Sequence, residues 1–397
     1  MWTALSRQVR EVFEVPRDLL LHRYPPFVTG GPLPRGHVPV FVFHSLEPES
    51  FERKLRYLAE NGYETLSADE YFHVLVRAGA APERAVLLTF DDGRGTLWSV
   101  GYPLLKRYRM RGVVFLVPGR IPSRPGPLAP TWEDVREGRV AAGDVLAREA
   151  GEGALLCWEE IDVLSRSGVF EFQSHTLTHA RVHVAPEVVG FVTPPMRQGY
   201  AAMDLPLIES DGRDLLGLDV PLGTPLLRSL PRTAEVSRFF EDPRIRRACV
   251  DAVTTAGGEG FFRRGDWHRA LQRMVAGQPV HGRLETPAER ARALRKELAQ
   301  SREMIAERTG RSVTHLCWPW HASGPTARRI AFEVGYRTAF SGKVPGTPIT
   351  PPGGDSHAVA RIGEDYLELL PGRGRGRLSA VLRRKWLRRR RGAPQRP

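Results

Sequence analysis

The sequence has few of the features that mark secreted or membrane-spanning proteins. Its 397 residues include three cysteines, Cys157, Cys249 and Cys317, which lie far apart and form no CxxC pair. No run of about 18 uninterrupted apolar residues could form a spanning helix. The charged opening MWTALSRQVREVFEV does not have the pattern of a secretory signal. These absences argue against a disulfide framework and a spanning helix, and they favour a reducing cytoplasm.

Acidic residues are missing from the C-terminal segment. From Gly372 to Pro397 there are eleven Arg and Lys residues and no acid. The whole chain has 58 basic and 45 acidic residues, a net charge of +13, so the rest of the chain carries only +2. Because the body is nearly neutral, the composition does not support nucleic acid as a partner.

This basic tail, residues 371–397, has two interpretations. As a helix it would carry an apolar face surrounded by arginines, and such a helix can lie on an anionic membrane at the inner face of the cell. As a run of like charge it would be solvated and disordered. An amphipathic N-terminal extension, residues 1–35, favours the interpretation that the tail lies on a membrane. The apolar positions are Leu378, Val381, Leu382 and Trp386 in the tail, and Trp2, Leu5, Val9 and Phe13 in the extension.

Short apolar runs alternate with amphipathic stretches along the chain. The runs predict seven buried strands, at residues 38–45, 85–92, 112–119, 169–175, 314–320, 336–342 and 358–363. Such alternation is typical of an α/β fold with a parallel sheet and outer helices. Seven strands suggest a closed or nearly closed barrel.

Two helices have clear start and stop signals. The stretch PESFERKLRYLAENG places Phe51, Leu55 and Leu58 on one face and stops at Gly62. The stretch TPAERARALRKELAQSREMIAERTG begins with a capping box and a proline, and it ends at a glycine. Both patterns predict helices that cover the sheet.

Two regions interrupt the strand and helix pattern. Residues 120–157 are rich in Pro, Gly and charge, and residues 183–283 show no clear period apart from a probable helix around GDWHRALQRMVAG. Long insertions in barrels extend the loops at the active end. The sequence therefore predicts a first barrel part (36–182, with the insertion 120–157), a lid or small subdomain (183–283), and a second barrel part (284–370).

The stretch LLTFDDG, residues 87–93, places Asp91 and Asp92 side by side at the end of a buried strand. Two adjacent carboxylates repel each other, and burying either one is costly without a partner. A metal ion that neutralises one of them would leave the other to act as a base. The carboxyl ends of barrel strands are where such groups gather.

Two further residues that could bind a metal lie at and after the end of the strand predicted at residues 169–175. The stretch FQSHTLTH supplies His175 and His179, four residues apart. On a helical turn this spacing puts both imidazoles on one face. One Asp and two His form a facial set that suits Zn²⁺ with open positions for water and substrate.

These motifs resemble the polysaccharide deacetylase family, the NodB-homology or carbohydrate esterase family 4 group. TFDDG followed by SHTLTH carries the resemblance. The stretches VPVFVFHSLEPESFERKLRYLAENGYETLSADEY and EMIAERTGRSVTHLCWPWH are similar to the exopolysaccharide-type members. The resemblance covers residues 36–118, 158–182 and 288–363. It implies a distorted (β/α)7 barrel.

The resemblance also implies residue roles. It makes Asp91 the catalytic base and Asp92, His175 and His179 the ligands of a divalent metal, most simply Zn²⁺. Many members of the family carry an arginine that orients the base. This sequence has Cys317 at the position of that arginine.

The proton donor and the sugar-binding wall are less clearly marked. His44, at the end of the first strand, is the preferred acid or oxyanion helper, and His357 and His321 are alternatives. A wall of Trp318, Pro319, Trp320 and His321 could hold a sugar ring, because flat aromatic faces suit the apolar faces of pyranoses. The alternative is that both tryptophans belong to the core.

Together these features predict a metal-dependent hydrolase that removes N-acetyl groups from an amino sugar in a polysaccharide or a lipid-linked glycan. One alternative is a catalytically weak or inactive protein that binds glycans or a membrane surface on the same barrel. Another is a deformylase-type hydrolase of a different amide, since fold does not fix substrate. A cytoplasmic site, peripheral at the inner membrane face, would suit a lipid-linked substrate.

Overall fold

The computed structural model describes residues 24–77, 81–344 and 346–390. Its strands are β1 (Val40–Phe43), β2 (Glu64–Thr65), β3 (Ala85–Asp91), β4 (Gly112–Leu116), β5 (Phe170–Ser174), β6 (Arg181–Phe191), β7 (Ile208–Ser210), β8 (Arg213–Leu215), β9 (Pro225–Pro231), β10 (Phe239–Glu241), β11 (Gly282–Leu284), β12 (His315–Cys317), β13 (Thr338–Phe340) and β14 (Ile362–Gly363). Its helices are α1 (Pro48–Glu60), α2 (Ala68–Arg77), α3 (Tyr102–Arg107), α4 (Trp132–Arg136), α5 (Ala142–Leu146), α6 (Trp158–Arg166), α7 (Arg244–Thr255), α8 (Trp267–Val275), α9 (Pro287–Thr309), α10 (Pro325–Glu333) and α11 (Leu378–Arg390).

The main sheet is parallel and curls back on itself. Its strand order is β13-β12-β5-β4-β3-β1-β14, and β2 pairs with the start of β3. The segment 359–363 joins the two edges. The Val359 N–H donates to the Ala339 carbonyl, while Ile362 lies in register with Phe41 of β1. All seven predicted strands are confirmed in this sheet, each a few residues shorter than its apolar run.

The alternation of side chains along β3 delivers a carboxylate to the inside of the curl. Successive side chains of a strand point to opposite faces. Leu87 belongs to a cluster of buried side chains on the inner face of the curled sheet, and several strands of the sheet contribute to this cluster. Leu88 and Phe90 belong to the larger cluster between the sheet and its helices. Thr89 and Asp91 continue the inner side, so the last residue of the strand lies inside its carboxyl end.

The predicted helix signals are confirmed. Helix α1 ends at Glu60, and Gly62 follows with a φ of 65°. At the start of α9 the Thr286 hydroxyl accepts from the Glu289 N–H, and the Glu289 carboxylate accepts from the Thr286 N–H. Gly310 ends α9 in the left-handed region. Both helices pack on the sheet through buried leucines, including Leu55, Leu58, Leu294 and Leu298.

The insertion between residues 183 and 283 consists of small β-structures and two helices. Strand β6 pairs with β9, β7 with β8, and β10 with β11, all antiparallel. The helix predicted around GDWHRALQRMVAG is confirmed as α8, which packs with α7 around Cys249, Val253 and Leu271. The short strands of this region carry no strong periodicity and were not predicted.

The described part of the basic tail is a packed helix. Val381 of α11 is 1% exposed, and Leu378 packs against the main core. Lys385 lies 3.5 Å from Asp365. The expectation of a disordered tail is therefore wrong for residues 378–390, and the alternative of a helix is confirmed there. Part of its apolar face packs against the core, whereas Trp386 remains 47% exposed. Residues Trp2, Leu5, Val9 and Phe13 lie outside the described residues.

The three cysteines are buried and free. Within the described ranges, each helix is too short or too polar to cross a lipid bilayer.

Candidate active site

The Asp-Asp-Gly turn places the carboxylates of Asp91 and Asp92 at the carboxyl end of strand β3. Strand β3 ends at Asp91, and the next two residues, Asp92 and Gly93, have φ values of 71° and 69°. A Cβ on Gly93 would lie 2.5 Å from Leu116 Cδ1. Glycine at this position therefore allows both the left-handed backbone and the close approach to β4. Asp91 is 2% exposed and Asp92 is 1% exposed.

Asp92, His175 and His179 form a group with the composition of a metal site. Asp92 Oδ1 lies 3.5 Å from His175 Nε2 and 3.7 Å from His179 Nε2. This oxygen is buried without a hydrogen-bond partner. One ligand atom from each residue lies within 4.8 Å of the others. An orphaned carboxylate oxygen facing two imidazole nitrogens fits a divalent cation, because a buried oxygen would otherwise lack a partner and these are the ligand types that such an ion takes.

Hydrogen bonding prepares His175 as a ligand. Its Nδ1 lies 2.8 Å from the Cys317 carbonyl oxygen. A carbonyl oxygen accepts only, so Nδ1 carries a proton, and Nε2 is the ring nitrogen that faces Asp92. Burial lowers the pKa of His179 to about 3, so the His179 ring is neutral at neutral pH. Neutral imidazoles are the form that binds metals.

The two histidines do not lie on a helical turn. Residues 175–180 form a loop after β5, and Thr176 and His179 have positive φ values of 65° and 53°. The prediction that helical spacing brings the imidazoles together is therefore wrong, although they do meet. Glu297 of α9 holds this loop, since its Oε1 accepts from the Thr178 N–H at 2.7 Å and from the Thr178 hydroxyl at 2.6 Å.

Arg361 orients Asp91. Its Nη1 donates to Asp91 Oδ1 and its Nη2 to Asp91 Oδ2, both at 2.7 Å. Burial alone would raise the pKa of Asp91, but the Arg361 guanidinium and the neighbouring His175 outweigh it and hold this pKa well below its usual range. Asp91 is therefore ionised. The arginine missing from position 317 is thus replaced by one on the segment that joins the sheet edges.

A second group of potential ligands overlaps the first. Asp91, His175 and Cys317 also lie close together. Both oxygens of Asp91 already accept from Arg361, and burial raises the pKa of the Cys317 thiol well above its ordinary value. A neutral thiol is a poor ligand. The set of Asp92 and two histidines therefore fits a metal better.

The three candidate proton donors differ in position. His44 Nε2 lies 3.8 Å from Asp91 Oδ2, and its side chain is 13% exposed. His321 is exposed, and its ring lies against Gly342. His357 meets Phe332 of α10 in an edge-to-face arrangement, with ring centroids 5.2 Å apart. Of these three candidates, His44 is the one for which a short distance to Asp91 is observed.

The predicted aromatic wall is smaller than expected. Trp318 is 1% exposed and packs in the main core, and Pro319 is also buried. Their expected place in a substrate wall is therefore wrong. Trp320 is half-buried and lies beside His179, with ring centroids 4.9 Å apart. Of the predicted sugar-binding wall, Trp320 and His321 remain as candidates for contact with a substrate.

Backbone strain concentrates at this site. Seven described non-glycine residues have positive φ values, and five of them surround the carboxylates: Asp92, Thr176, His179, Trp320 and His321. Such conformations are costly and cluster where function requires them. Arg361 and Glu297 were not predicted as site residues. The alternation in AVARIG was the available signal for Arg361, because it puts a charge on the inner face with Val359.

Comparison with known proteins agrees with this geometry. A family model described as polysaccharide deacetylase matches residues 78–194. The YxkH protein of Bacillus subtilis, named as a polysaccharide deacetylase, is 32% identical over 88 residues, which are 20% of this chain and 32% of that protein. A poly-beta-1,6-N-acetyl-D-glucosamine N-deacetylase of Staphylococcus aureus is 23% identical over 133 residues, 34% of this chain and 37% of the relative. The chain spans about a third of the length of these curated relatives.

Solved structures resemble the chain over most of its length. A de-N-acetylase from Aggregatibacter actinomycetemcomitans is 17% identical, with a TM-score of 0.49 and coverage of 82% of this chain and 94% of that one. IcaB from Ammonifex degensii is 15% identical, with a TM-score of 0.45 and coverage of 84% and 94%.

The family match contains Asp91, Asp92, His175 and His179. The resemblance seen in the motifs is thereby confirmed for residues 78–194, which are similar to the polysaccharide deacetylase family.

Proposed function

We propose that this protein is a metal-dependent amide hydrolase that removes N-acetyl groups from an amino sugar in a polysaccharide or a lipid-linked glycan. The observation that carries the proposal is the unpartnered Oδ1 of Asp92 between the Nε2 atoms of His175 and His179, beside the ionised Asp91. The curled parallel sheet supports the distorted (β/α)7 barrel that the resemblance implies.

Asp92, His175 and His179 would hold the ion, and Zn²⁺ suits one carboxylate and two imidazoles. When bound there, the ion would polarise the amide carbonyl and make a water more acidic.

Asp91 then acts as the base that takes a proton from the attacking water. Arg361 binds both carboxylate oxygens and so fixes the plane of the carboxylate and keeps it ionised. Each oxygen retains a further lone pair for the proton. A base with a low pKa is sufficient here only because the water is itself acidified.

His44 donates a proton to the nitrogen of the leaving amine. Burial lowers the pKa of His44, so its ring is mostly neutral before the reaction. Its Nε2 lies 3.8 Å from Asp91 Oδ2, so a small shift would let the proton taken from water pass through Asp91 to His44. The water oxygen bonds to the acyl carbon, the C–N bond breaks, and the nitrogen receives that proton. A neutral His44 can also donate an N–H to the developing oxyanion.

An N-acetylated glycan is the substrate class that the relatives favour. The Staphylococcus aureus relative is named for poly-beta-1,6-N-acetyl-D-glucosamine. Trp320 and His321 at the edge of the site supply flat faces for a sugar ring. The alternative of an inactive barrel was motivated by the missing arginine and by the large insertions, and Arg361 removes the first of these two grounds.

The test is acetate release with defined metal content. Purified protein loaded with Zn²⁺ should release acetate from oligomers of N-acetylglucosamine. Asp92→Ala and His179→Ala should lose metal, whereas Asp91→Asn should keep metal and lose turnover. Full activity of Asp91→Asn would refute the assignment of the base. Formylated oligomers in the same assay separate deacetylation from removal of a formyl group.

We also propose contact with an anionic membrane through the end of α11. Trp386 and Leu387 are 47% and 38% exposed and adjoin the basic residues of the tail. Wild-type protein should sediment with vesicles of phosphatidylglycerol but not with vesicles of phosphatidylcholine. Equal binding by a Trp386→Ala, Leu387→Ala double variant would reject this contact. A cytoplasmic location at the inner face is part of the same proposal.

A further inference from the structure

A tyrosine from the insertion reaches the metal ligand Asp92. Tyr200 lies in a short 3-10 helix, Gly199–Asp204, and is 108 residues from Asp92. Its hydroxyl donates to Asp92 Oδ2 at 2.8 Å. Among the described residues it is the one hydrogen-bond donor to this carboxylate. The other oxygen, Oδ1, is the atom that faces both imidazoles.

Tyr200 is itself held in place. The Arg94 guanidinium lies 3.8 Å from the centroid of its ring. Arg94 donates to the Ser45 hydroxyl at 2.7 and 3.0 Å and to Glu149 Oε1 at 3.0 Å. Ser45 follows the candidate donor His44, and Glu149 belongs to the insertion 120–157. Both insertions therefore meet the turn that carries the two carboxylates.

A carboxylate at the end of a tight turn can rotate about its own bonds. With Tyr200 bound to Oδ2, rotation would break a buried hydrogen bond and turn Oδ1 away from His175 and His179. Groups that hold metal ligands in this way typically contribute about 10–100-fold in metal affinity.

We propose that Tyr200 is a positioning residue for the metal ligand Asp92, and that it couples metal binding to the order of the insertion 183–283. The inference rests on the proposed function only in requiring that a divalent ion binds at Asp92, His175 and His179. It adds that the insertion completes the metal site instead of merely bordering it.

The test is metal affinity, measured separately from turnover. Competition with a chelating dye should show that Tyr200→Phe binds Zn²⁺ about 10–100-fold more weakly than wild type. Tyr63→Phe is the matched control, because its hydroxyl donates to the Pro371 carbonyl away from the site. That control should stay within about 2-fold, below the range expected for a residue that holds a metal ligand. The visible spectrum of the Co²⁺-loaded protein should change in Tyr200→Phe and not in Tyr63→Phe.

A second measurement tests the coupling. Addition of Zn²⁺ to wild type should slow hydrogen exchange in residues 199–204, and this protection should be smaller in Tyr200→Phe. Wild-type Zn²⁺ affinity in Tyr200→Phe, or equal protection in both proteins, overturns the inference. Zinc binding without acetate release by wild type would instead overturn the proposed function. Failure of wild type to bind Zn²⁺ would overturn both.

Discussion

Arg361 and Asp91 form a two-pronged ion pair across 270 residues, with each guanidinium Nη donating to a different carboxylate oxygen at 2.7 Å. The arginine side chain is 0% exposed and the aspartate side chain 3%. Such a buried, fork-shaped pair fixes direction as well as charge. Asp91 is therefore oriented from the segment 359–363, and not from strand β12, where the family pattern usually carries its arginine.

The first prediction concerns the pH dependence of activity. Removing the guanidinium in Arg361→Met should raise the pKa of Asp91 by about 1–3 units. Because the base works only when ionised, the acidic limb of kcat/KM against pH should move to higher pH. Arg361→Lys keeps a positive charge but loses the paired hydrogen bonds of the guanidinium, so it should move the acidic limb less. An unchanged limb in Arg361→Met, with metal content intact, would contradict the role given to Arg361.

The second prediction concerns the histidine loop. Glu297→Ala leaves the buried N–H and hydroxyl of Thr178 without their acceptor, which costs about 1–3 kcal/mol. The free energy of unfolding should fall by that amount, and Zn²⁺ affinity should fall with it because His179 loses its support. Glu297→Gln keeps an acceptor oxygen and is the control. Urea unfolding and dye competition measure the two quantities, and equal values for Glu297→Ala and wild type would reject the role of Glu297.

The two tryptophans should respond differently to truncation. Trp318 lies in the core, so Trp318→Ala should destabilise the fold by about 3–5 kcal/mol. Trp320 borders the site, so Trp320→Ala should mainly raise KM for the glycan with a small change in melting temperature. Thermal unfolding and steady-state kinetics distinguish these outcomes. The reverse pattern would mean that Trp318, not Trp320, meets the substrate.

The stability of the apoprotein should depend on His183 in the insertion. Burial, followed by the charges of Arg238 and Arg246, lowers the pKa of His183 from 6.5 to about 4. Above pH 6.5 His183 is neutral in the folded and unfolded states. Between pH 6.5 and 4 the unfolded state binds the extra proton, so stability is lost as the pH falls, by at most about 1.4 kcal/mol per pH unit.

His183→Gln removes this titration and should flatten the loss. Urea unfolding at pH 7 and pH 5, with chelator present, gives the comparison. An identical pH dependence in wild type and His183→Gln would show that this histidine does not contribute.

Much of the fold followed from the sequence because its signals are local. Apolar runs marked all seven strands of the main sheet, and the Thr286–Glu289 capping box marked the start of α9. Asp91, Asp92, His175 and His179 could be selected because each follows a buried strand. The parallel sheet then brings those strand ends together.

What the sequence did not reveal depends on distant contacts. Arg361, Glu297 and Tyr200 each reach the site from a separate part of the chain, and apart from the alternation around Arg361 nothing in their immediate neighbours marks that approach. The helical interpretation of His175 and His179 failed because spacing alone cannot distinguish a helical turn from a loop with left-handed residues. Trp318 was misplaced because an aromatic residue at a strand end can face either the cleft or the core.

The segment 359–363 has a consequence for biosynthesis. It is translated long after β3, yet it joins the two edges of the sheet and supplies the guanidinium for a carboxylate 270 residues earlier in the chain. Until that segment emerges from the ribosome, Asp91 lacks the Arg361 guanidinium and the two edges of the sheet remain unjoined. A chain that stops before residue 359 would therefore lack the group that orients Asp91, however well its earlier strands had formed.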